Sequence, residues 1–418
     1  MKKKLWIIPV AIAAAVTLLF GAYWILRAGF DLDVLDRSGW STTADGSAIY
    51  LDYYGKPLTG WQELDGKRYY FCTDGTLQTL WQDIEGARYY LGSDGAVCTH
   101  WQTIDGNRYY FTGDGSMVTG WQTIEDVRYY FTQDGILQTG FFTAADTLCY
   151  ADPEGKVLPG WLEQEGKRYY CHTDGALAIG WTDIAPNRYY FNTDGSLYTG
   201  WLEQDGSRYY LKDNGVMAIG RITLEDSNYY FTSQGKYVLL VNAWNPVPAG
   251  YDPQLMDLEH IQVSAAAFEA LQAMVAAGRA AGHPCSMTSV YRSIEVQRYI
   301  WNRNVNTYMQ EGGYSYSAAC ALTGQSVMVP GHSEHQTGLA VDFNTSQTGS
   351  IKWLQENCWD YGFILRYPPD KIDKTGIIYE PWHYRYVGKE LALELKALGL
   401  CMEEYMDMLT EQENQKQA

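Results

Sequence analysis

Positive charge is scarce in this sequence. Against 49 aspartates and glutamates stand only 31 lysines and arginines, so the chain of 418 residues carries a net charge of -18. The phosphates of a nucleic acid would repel a chain of this charge, which argues against a nucleic-acid partner. The acidity indicates instead a protein that stays soluble outside the cell.

Cysteine motifs are scarce as well. None of the eight cysteines stands in a CxxC pair, so this sign of a structural zinc site is missing. Cys149 and Cys171 stand at similar positions in two neighbouring 20-residue repeats of the sequence. Either a cross-strand disulfide or two reduced, buried thiols would fit there. The other cysteines cannot be paired from the sequence.

Histidine is equally rare, with seven residues in the chain, yet three of them lie in two short segments that also hold carboxylates. His335 and Asp342 flank a glycine at which the chain can turn from a loop into the apolar run 339–343, a predicted buried strand. His383 follows Glu380 by three residues, close enough for both to share one small site. Zinc hydrolases need nitrogen and oxygen ligands and a carboxylate that accepts a proton from water. The spacing alone leaves two interpretations open, a metal site and a group of ordinary polar residues.

Two motifs in these segments resemble a known family. The first has the pattern SxHxxGxAxD over residues 333–342, and the second is EPWHYRYVG over residues 380–388. Together they resemble the signature of the VanY-type D-alanyl-D-alanine carboxypeptidases, zinc peptidases that trim the stem peptides of the bacterial cell wall. Upstream, LVNAWNPVP at 240–248 resembles the segment with which the domain begins in the same family. SVYRS at 289–293 resembles the family's segment that carries an arginine for substrate binding. The related dipeptidase branch has a tryptophan where this chain has Pro381.

The resemblance implies a set of metal ligands and a base. His335, Asp342 and His383 would hold Zn2+. Glu380 would accept a proton from the attacking water and pass it to the leaving amine of the terminal D-alanine. Arg292 would hydrogen-bond the scissile carbonyl or the substrate carboxylate. The plainer alternatives are that Glu380 only supports His383 and that Arg292 forms a structural ion pair.

Further residues in these segments have weaker assignments. Gln297 and Ser333 are candidates for binding the end of the substrate peptide, and Trp382 is expected to pack in the wall of the site. The resemblance gives no role to His332 or Glu334.

An apolar stretch stands near the start of the chain. Residues 5–26 carry no charge, and as a helix rising ~1.5 Å per residue they would cross a hydrocarbon core ~30 Å thick. We therefore predict a transmembrane anchor with a cytoplasmic tail at residues 1–4, whose lysines favour the inside, and an extracellular linker at residues 27–38. A cleaved signal peptide is the alternative, although the apolar run is long for one.

Residues 39–238 repeat with a period of 20 residues. In one unit, the segments WQEL at 61–64 and KRYYF at 67–71 flank Asp65 and Gly66, a pair that suits a type I′ hairpin turn because both central residues need positive φ. A lone hairpin cannot bury its aromatic face, so we predict that successive hairpins stack into a β-hairpin solenoid. The aromatic phase that would form its core holds Trp61, Trp81, Trp101, Trp121, Phe141, Trp161, Trp181 and Trp201.

This array resembles the cell-wall-binding repeats of Gram-positive surface proteins, which include choline-binding and glucan-binding modules. In the choline-binding form, a tryptophan before the tyrosine pair helps to build a cage that attracts a quaternary ammonium group. Arginine takes that place here and would repel choline, so a wall glycan or an anionic, teichoic-type polymer is the expected ligand. The alternative is that each arginine stacks on a neighbouring aromatic ring and stabilises the array. The arginines are Arg68, Arg88, Arg108, Arg128, Arg168, Arg188 and Arg208.

The 20-residue period stops after residue 238, and residues 239–418 have the mixed pattern of an α+β domain. Ser293 is expected to open a helix, and another helix is expected at residues 389–398. Residues 312–329 are expected to form a loop over the site, and residues 377–379 a buried strand.

The two parts together predict a membrane-anchored zinc carboxypeptidase that removes the terminal D-alanine from peptidoglycan stem peptides. Its repeats would bind the wall and raise the local concentration of substrate. This predicts a single-pass protein of the cell membrane, with the repeats and the catalytic domain outside. The alternatives are a zinc endopeptidase that cuts cross-links and a non-catalytic wall-binding scaffold.

Overall fold

A computed structural model describes residues 36–417 of the chain. Within this range no helix is both long enough and apolar enough to cross a membrane. The predicted fold class is corrected on this point, because its N-terminal transmembrane helix has no support. The architecture consists of β-hairpin repeats and a C-terminal α+β part. Residues 5–26, on which the helix prediction depended, lie outside the described residues.

The repeats form antiparallel hairpins, as their turns predict. In one hairpin Asp65 and Gly66 have φ values of 49° and 73°, the pair of positive values that a type I′ turn requires. The strands are β1 Gly39–Thr42 with β2 Ala48–Leu51, β3 Gly60–Leu64 with β4 Lys67–Phe71, β5 Leu80–Ile84 with β6 Ala87–Leu91, β7 His100–Ile104 with β8 Asn107–Phe111, β9 Gly120–Ile124 with β10 Val127–Phe131, β11 Gly140–Ala144 with β12 Thr147–Ala151, β13 Gly160–Gln164 with β14 Lys167–Cys171, β15 Gly180–Ile184 with β16 Asn187–Phe191, β17 Gly200–Gln204 with β18 Ser207–Leu211, and β19 Gly220–Leu224 with β20 Ser227–Phe231 and β21 Tyr237–Val238.

Aromatic side chains join neighbouring hairpins over residues 60–111. The ring of Trp61 lies edge-on to Tyr70 of its own hairpin, with 5.0 Å between centroids, and to Tyr89 of the following hairpin at 4.8 Å. Trp81 repeats this arrangement with Tyr109 at 5.0 Å. Edge-to-face pairs of this kind add stability beyond the apolar area that they bury. The aromatic face of one hairpin is therefore covered by its neighbour.

The chain divides into two compact units. The first unit consists of the described residues up to Trp161 together with the short stretch Cys171–Leu177. The second unit consists of Leu162–Tyr170 together with the residues from Ala178 onward. The α+β part therefore belongs to the same unit as the last hairpins. The domain limits inferred from the sequence pattern stay predictions.

The α+β part of the second unit combines helices with a four-stranded antiparallel sheet. The sheet has the order β24 Met287–Ser289, β25 Ala340–Phe343, β27 His383–Tyr386 and β26 Phe363–Leu365, and a separate hairpin joins β22 Leu255–Leu258 to β23 Ile261–Ser264. The helices are α1 Ala265–Ala280, α2 Ile294–Gln310, α3 Tyr316–Thr323, α4 Thr348–Asn357, α5 Ile372–Thr375, α6 Lys389–Leu398 and α7 Met402–Gln417, with short 3-10 turns at Glu334–Thr337 and Cys358–Tyr361. The order places β25 and β27 side by side in the middle of the sheet.

Two large hydrophobic clusters stabilise this part. The first packs Leu271 of α1 against Phe343 of the sheet, and both are buried. The second brings Leu391 of α6 and Tyr405 of α7 together with Tyr230 of the last hairpin. The C-terminal helices therefore share a core with the end of the repeat array.

Two local predictions are wrong, and two are confirmed, one of which is the helix at Lys389–Leu398. Residues 312–329 contain the helix α3, which begins where the Ser315 hydroxyl accepts a hydrogen bond from a backbone N–H of the first turn. Residues 377–379 form no strand, and Ile377 is buried in a small cluster instead. Ser293 caps α2 in the same way as Ser315 caps α3, as the sequence predicts.

Candidate active site

Adjacent strands bring the predicted metal ligands together. Asp342 on β25 lies directly opposite His383 on β27 in the antiparallel register. His335 lies in the 3-10 turn that precedes β25, and Gly338 ends this turn with a φ of 67°. A Cβ atom at Gly338 would lie 2.8 Å from the backbone nitrogen of Ser264, so only glycine fits here. The glycine in the motif thus allows the chain to enter the strand that carries Asp342.

The three side chains form a compact cluster. Nε2 of His335 lies 3.2 Å from Oδ2 of Asp342, and Nδ1 of His383 lies 3.0 Å from Oδ1 of the same carboxylate. One ligand atom from each residue lies within 4.8 Å of the others. Two ligands that each lie ~2.1 Å from a tetrahedral zinc ion are about 3.4 Å apart. The cluster therefore has the size and the donor atoms that fit zinc.

The second nitrogen of each imidazole already has a partner. Nδ1 of His335 lies 2.6 Å from the backbone oxygen of Val290, and Nε2 of His383 lies 3.4 Å from Oε2 of Glu334. Both partners are acceptors, so with a metal bound each ring would donate its N–H there and use its other nitrogen as the ligand atom. This hydrogen bonding assigns Nε2 of His335 and Nδ1 of His383 as the ligand atoms.

The charges of the cluster shift one another's pKa values. Burial raises the pKa of the Asp342 carboxyl, but His335 and His383 outweigh burial and hold it well below its usual range. Burial also lowers the pKa of His383, and hydrogen bonds to Asp342 and Glu334 reverse this effect and raise it to about 9. A metal that binds at neutral pH must therefore displace a proton from His383.

Glu380 lies beside this cluster. Its Oε2 is 3.8 Å from Nδ1 of His383, the nitrogen that faces the metal position, and the side chain is buried. Burial raises the pKa of Glu380 to about 7, although His383 opposes the shift. A carboxyl group with a pKa near neutrality can both accept and return a proton.

Arg292 also faces the cluster. Its Nη2 lies 2.5 Å from Oδ2 of Asp342, and its Nε donates to the hydroxyl of Ser289 at 2.8 Å. The structure therefore contains the ion pair that was the alternative to a substrate role. The guanidinium nevertheless lines the cavity in front of the cluster, where a substrate would lie.

This cavity has a volume of about 470 Å³. Gln297, Ser333 and Trp382 line it together with Glu380 and the predicted ligands. The Gln297 side chain is buried and donates to a backbone carbonyl, while its Oε1 has no hydrogen-bond partner among the described residues. All seven predicted site residues therefore lie around one cavity.

A buried charge network beneath the cluster was missed by sequence reasoning. Oε1 of Glu334 lies 2.8 Å from Nε of Arg366 and 3.2 Å from Nη1 of Arg385. Arg366 also donates to both oxygens of Glu403 on α7, at 2.6 and 2.9 Å. Burial raises the pKa of Glu334, but the two guanidiniums hold it well below its usual range. Glu334 and Arg385 lie within the two recognised motifs, but no spacing rule links either of them to Arg366 or Glu403.

The repeat arginines cover the tryptophans. The guanidinium carbon of Arg68 lies 3.9 Å from the ring centroid of Trp61, and that of Arg128 lies 4.2 Å from Trp121. Arg68 also donates to the backbone oxygen of Asp114 at 2.6 Å. The structure therefore shows the arginine stacking that was the alternative to ligand contact. The same stacking recurs at Arg88, Arg108, Arg188 and Arg208.

Family models match both parts of the chain. Residues 260–389 match the family described as D-alanyl-D-alanine carboxypeptidase, VanY. Residues 98–135 and 178–221 match the choline-binding repeat, and residues 59–77 match the putative cell wall binding repeat. The predicted families of both parts are confirmed by these matches.

Individual relatives resemble the C-terminal part. A D-alanyl-D-alanine carboxypeptidase from Enterococcus faecalis is 44% identical over 41% of this chain and 65% of its own length. A putative carboxypeptidase, YodJ, from Bacillus subtilis is 33% identical over 40% of this chain and 66% of its own length. The chain thus spans just under two thirds of the length of these curated relatives.

A solved structure is also similar in sequence. It is a variant of the vancomycin resistance D,D-pentapeptidase VanY from a VanB-type cassette, in complex with Zn(II). It is 43% identical, with 40% of this chain and 97% of that chain covered and a TM-score of 0.39. The predicted enzyme class agrees with the names of the two curated relatives, and the VanY variant is the one of the three that is described with Zn(II).

Proposed function

Since the chain belongs, through residues 260–389, to the VanY family of D-alanyl-D-alanine carboxypeptidases, we propose that it removes the terminal D-alanine from peptidoglycan stem peptides. One observation carries this proposal: His335, Asp342 and His383 converge in the cavity that also holds Glu380. The donor atoms and the hydrogen bonds that orient both imidazoles support zinc as the metal.

Glu380 performs the proton transfers of the proposed reaction. Zinc, when bound, polarises the scissile carbonyl and lowers the pKa of a coordinated water. Glu380 accepts a proton from the attacking water and donates it to the nitrogen of the leaving D-alanine as the C–N bond breaks. The pKa of Glu380, raised to about 7 by burial, keeps both of its protonation states accessible near neutral pH.

Arg292 and two polar neighbours bind the end of the peptide in this proposal. The Arg292 guanidinium lies in the cavity wall, where its N–H donors can stabilise the terminal carboxylate or the oxygen of the scissile carbonyl. Gln297 and Ser333 also line the cavity and supply polar groups beside the bound peptide. The cavity thus offers a cation and further polar groups to the end of the stem peptide.

The repeats direct the enzyme to the wall in this proposal. The stacked arginines occupy the tryptophan faces that a quaternary ammonium group would need, which favours a wall glycan or a teichoic-type polymer as the ligand. Binding to the wall raises the concentration of stem peptide at the active site. Because peptidoglycan lies outside the cell membrane, we place the repeats and the catalytic part on that side.

Mass analysis of muropeptides tests the proposed activity. Pentapeptide stems incubated with the zinc-loaded full chain should lose one alanine, and a chelator or the Glu380→Gln substitution should block this loss. Intact pentapeptides after incubation with the zinc-loaded chain would refute the proposal. A purified cross-linked dimer in the same assay separates the endopeptidase alternative, since our proposal predicts that the cross-link remains.

A further inference from the structure

Glu334 has no part in the chemistry described above, yet its buried side chain lies against a predicted metal ligand. Its Oε2 is 3.4 Å from Nε2 of His383, whereas Asp342 contacts the opposite nitrogen of that ring. Its Oε1 is held by Arg366 at 2.8 Å and by Arg385 at 3.2 Å. One carboxylate therefore connects the imidazole to two fixed guanidiniums.

Glu334 belongs to a buried network of two carboxylates and two guanidiniums. Arg366 also binds Glu403 through two hydrogen bonds, and Glu403 accepts a third from the side-chain amide of Asn242 at 2.9 Å. Two carboxylates thus face two guanidiniums in the interior, and each member is held by at least one other. Removal of any member would leave a buried charge without its partner.

Part of this network comes from outside the segment that matches the carboxypeptidase family. Glu403 lies in the first turn of α7, which begins at Met402, and the family match ends at residue 389. The same helix packs through Tyr405 on the last repeat hairpin, where its hydroxyl accepts a hydrogen bond from the backbone N–H of Ser233 at 3.0 Å. The C-terminal helix therefore supports the floor of the active site and contacts the repeats.

We propose that Glu334 is a positioning residue for the metal centre. It accepts the Nε2 proton of His383 and so directs Nδ1 of that ring toward His335 and Asp342. Without this acceptor either ring nitrogen could carry the proton, and the ligand atom would no longer be defined. The two arginines keep the Glu334 carboxylate from turning away. The inference rests on the proposed metal centre but does not depend on which peptide is cleaved.

Two substitutions in the full chain separate the effect of the negative charge at position 334 from the effect of the side-chain length. Glu334→Asp keeps the negative charge that both arginines need, but its carboxylate is one methylene further from His383. Glu334→Gln keeps the length but loses the charge. Zinc affinity, measured by competition with a chromophoric chelator, should fall about 10- to 100-fold in both variants. Circular dichroism and the melting temperature of the metal-free chains show whether each variant is folded. If the Gln variant does not fold, the zinc affinity of the Asp variant decides the test.

Glu403→Gln is the matched control, because it disturbs the same network without touching His383. It should lower the melting temperature at least as much as Glu334→Asp does, while its zinc affinity stays closer to that of the wild type. A folded Glu334→Asp chain that binds zinc as tightly as the wild type would overturn the inference. Equal losses of zinc affinity in the Glu334→Asp and Glu403→Gln chains would overturn it as well, because they would show a general loss of structure.

The same assays distinguish this inference from the proposed function. A wild-type chain that binds zinc but leaves pentapeptides intact would refute the proposed function alone. A wild-type chain that binds no zinc would refute both.

Discussion

Removal of the Arg366 guanidinium should strongly destabilise the unit that contains the active site. The side chain has no exposed surface and pairs with Glu334 at 2.8 Å and with Glu403 at 2.6 Å. In Arg366→Met, Glu334 would keep Arg385 as its cation, whereas Glu403 would keep only the side-chain amide of Asn242. Loss of one partner from a buried ion pair costs about 3–5 kcal/mol. At about 2–4 °C per kcal/mol for a unit of this size, the melting temperature should fall by roughly 10 °C.

Scanning calorimetry of the full chain measures this effect, with two further variants for comparison. The double variant Arg366→Met with Glu403→Gln removes one buried negative charge as well, so it should recover part of the lost stability. Lys167→Met removes an exposed pair with Asp194 and should leave the melting temperature unchanged. If Arg366→Met melts within about 2 °C of the wild type, or if the double variant is less stable than the single one, the reasoning fails.

Three further predictions follow from the site, the core and the repeats. Zinc affinity should fall about tenfold for each pH unit below ~9, because the proton on His383 competes with the metal, and a chelator titration that shows no pH dependence would contradict this. A fragment of residues 239–418 should melt at a lower temperature than one of residues 178–418, because it lacks Tyr230 and uncovers the cluster on α6 and α7; equal melting temperatures would be evidence against this core. Arg128→Ala should uncover the ring of Trp121, so a choline resin should retain this variant more than the wild-type chain, and equal elution would argue against the stacking interpretation.

Sequence pattern predicted the structure where a local rule recurs along the chain. The Asp65 and Gly66 turn needs positive φ at both positions whatever surrounds it, so each such turn specifies a hairpin. The serine at position 293 caps a helix for a similarly local reason. The motif of the metal ligands could also be recognised in the sequence, because a glycine fixes the turn between His335 and the strand that carries Asp342.

The features that could not be predicted from the sequence depend on contacts between distant parts of the chain. Arg366 and Glu403 look like ordinary surface residues in the sequence, and only the fold places both of them beneath the metal site. The helix α3 was missed because the serine at position 315 caps a short apolar segment that lacks a clear helical period. The apolar character of residues 5–26 predicted a membrane helix that the described structure does not support.

Anomalous X-ray scattering at the zinc absorption edge, from crystals of the zinc-loaded full chain, tests the metal centre most directly. We expect one strong peak at about 2.0–2.2 Å from Nε2 of His335, Nδ1 of His383 and a carboxylate oxygen of Asp342. A zinc ion bound through Nε2 of His383, or no peak at these three side chains, would contradict it.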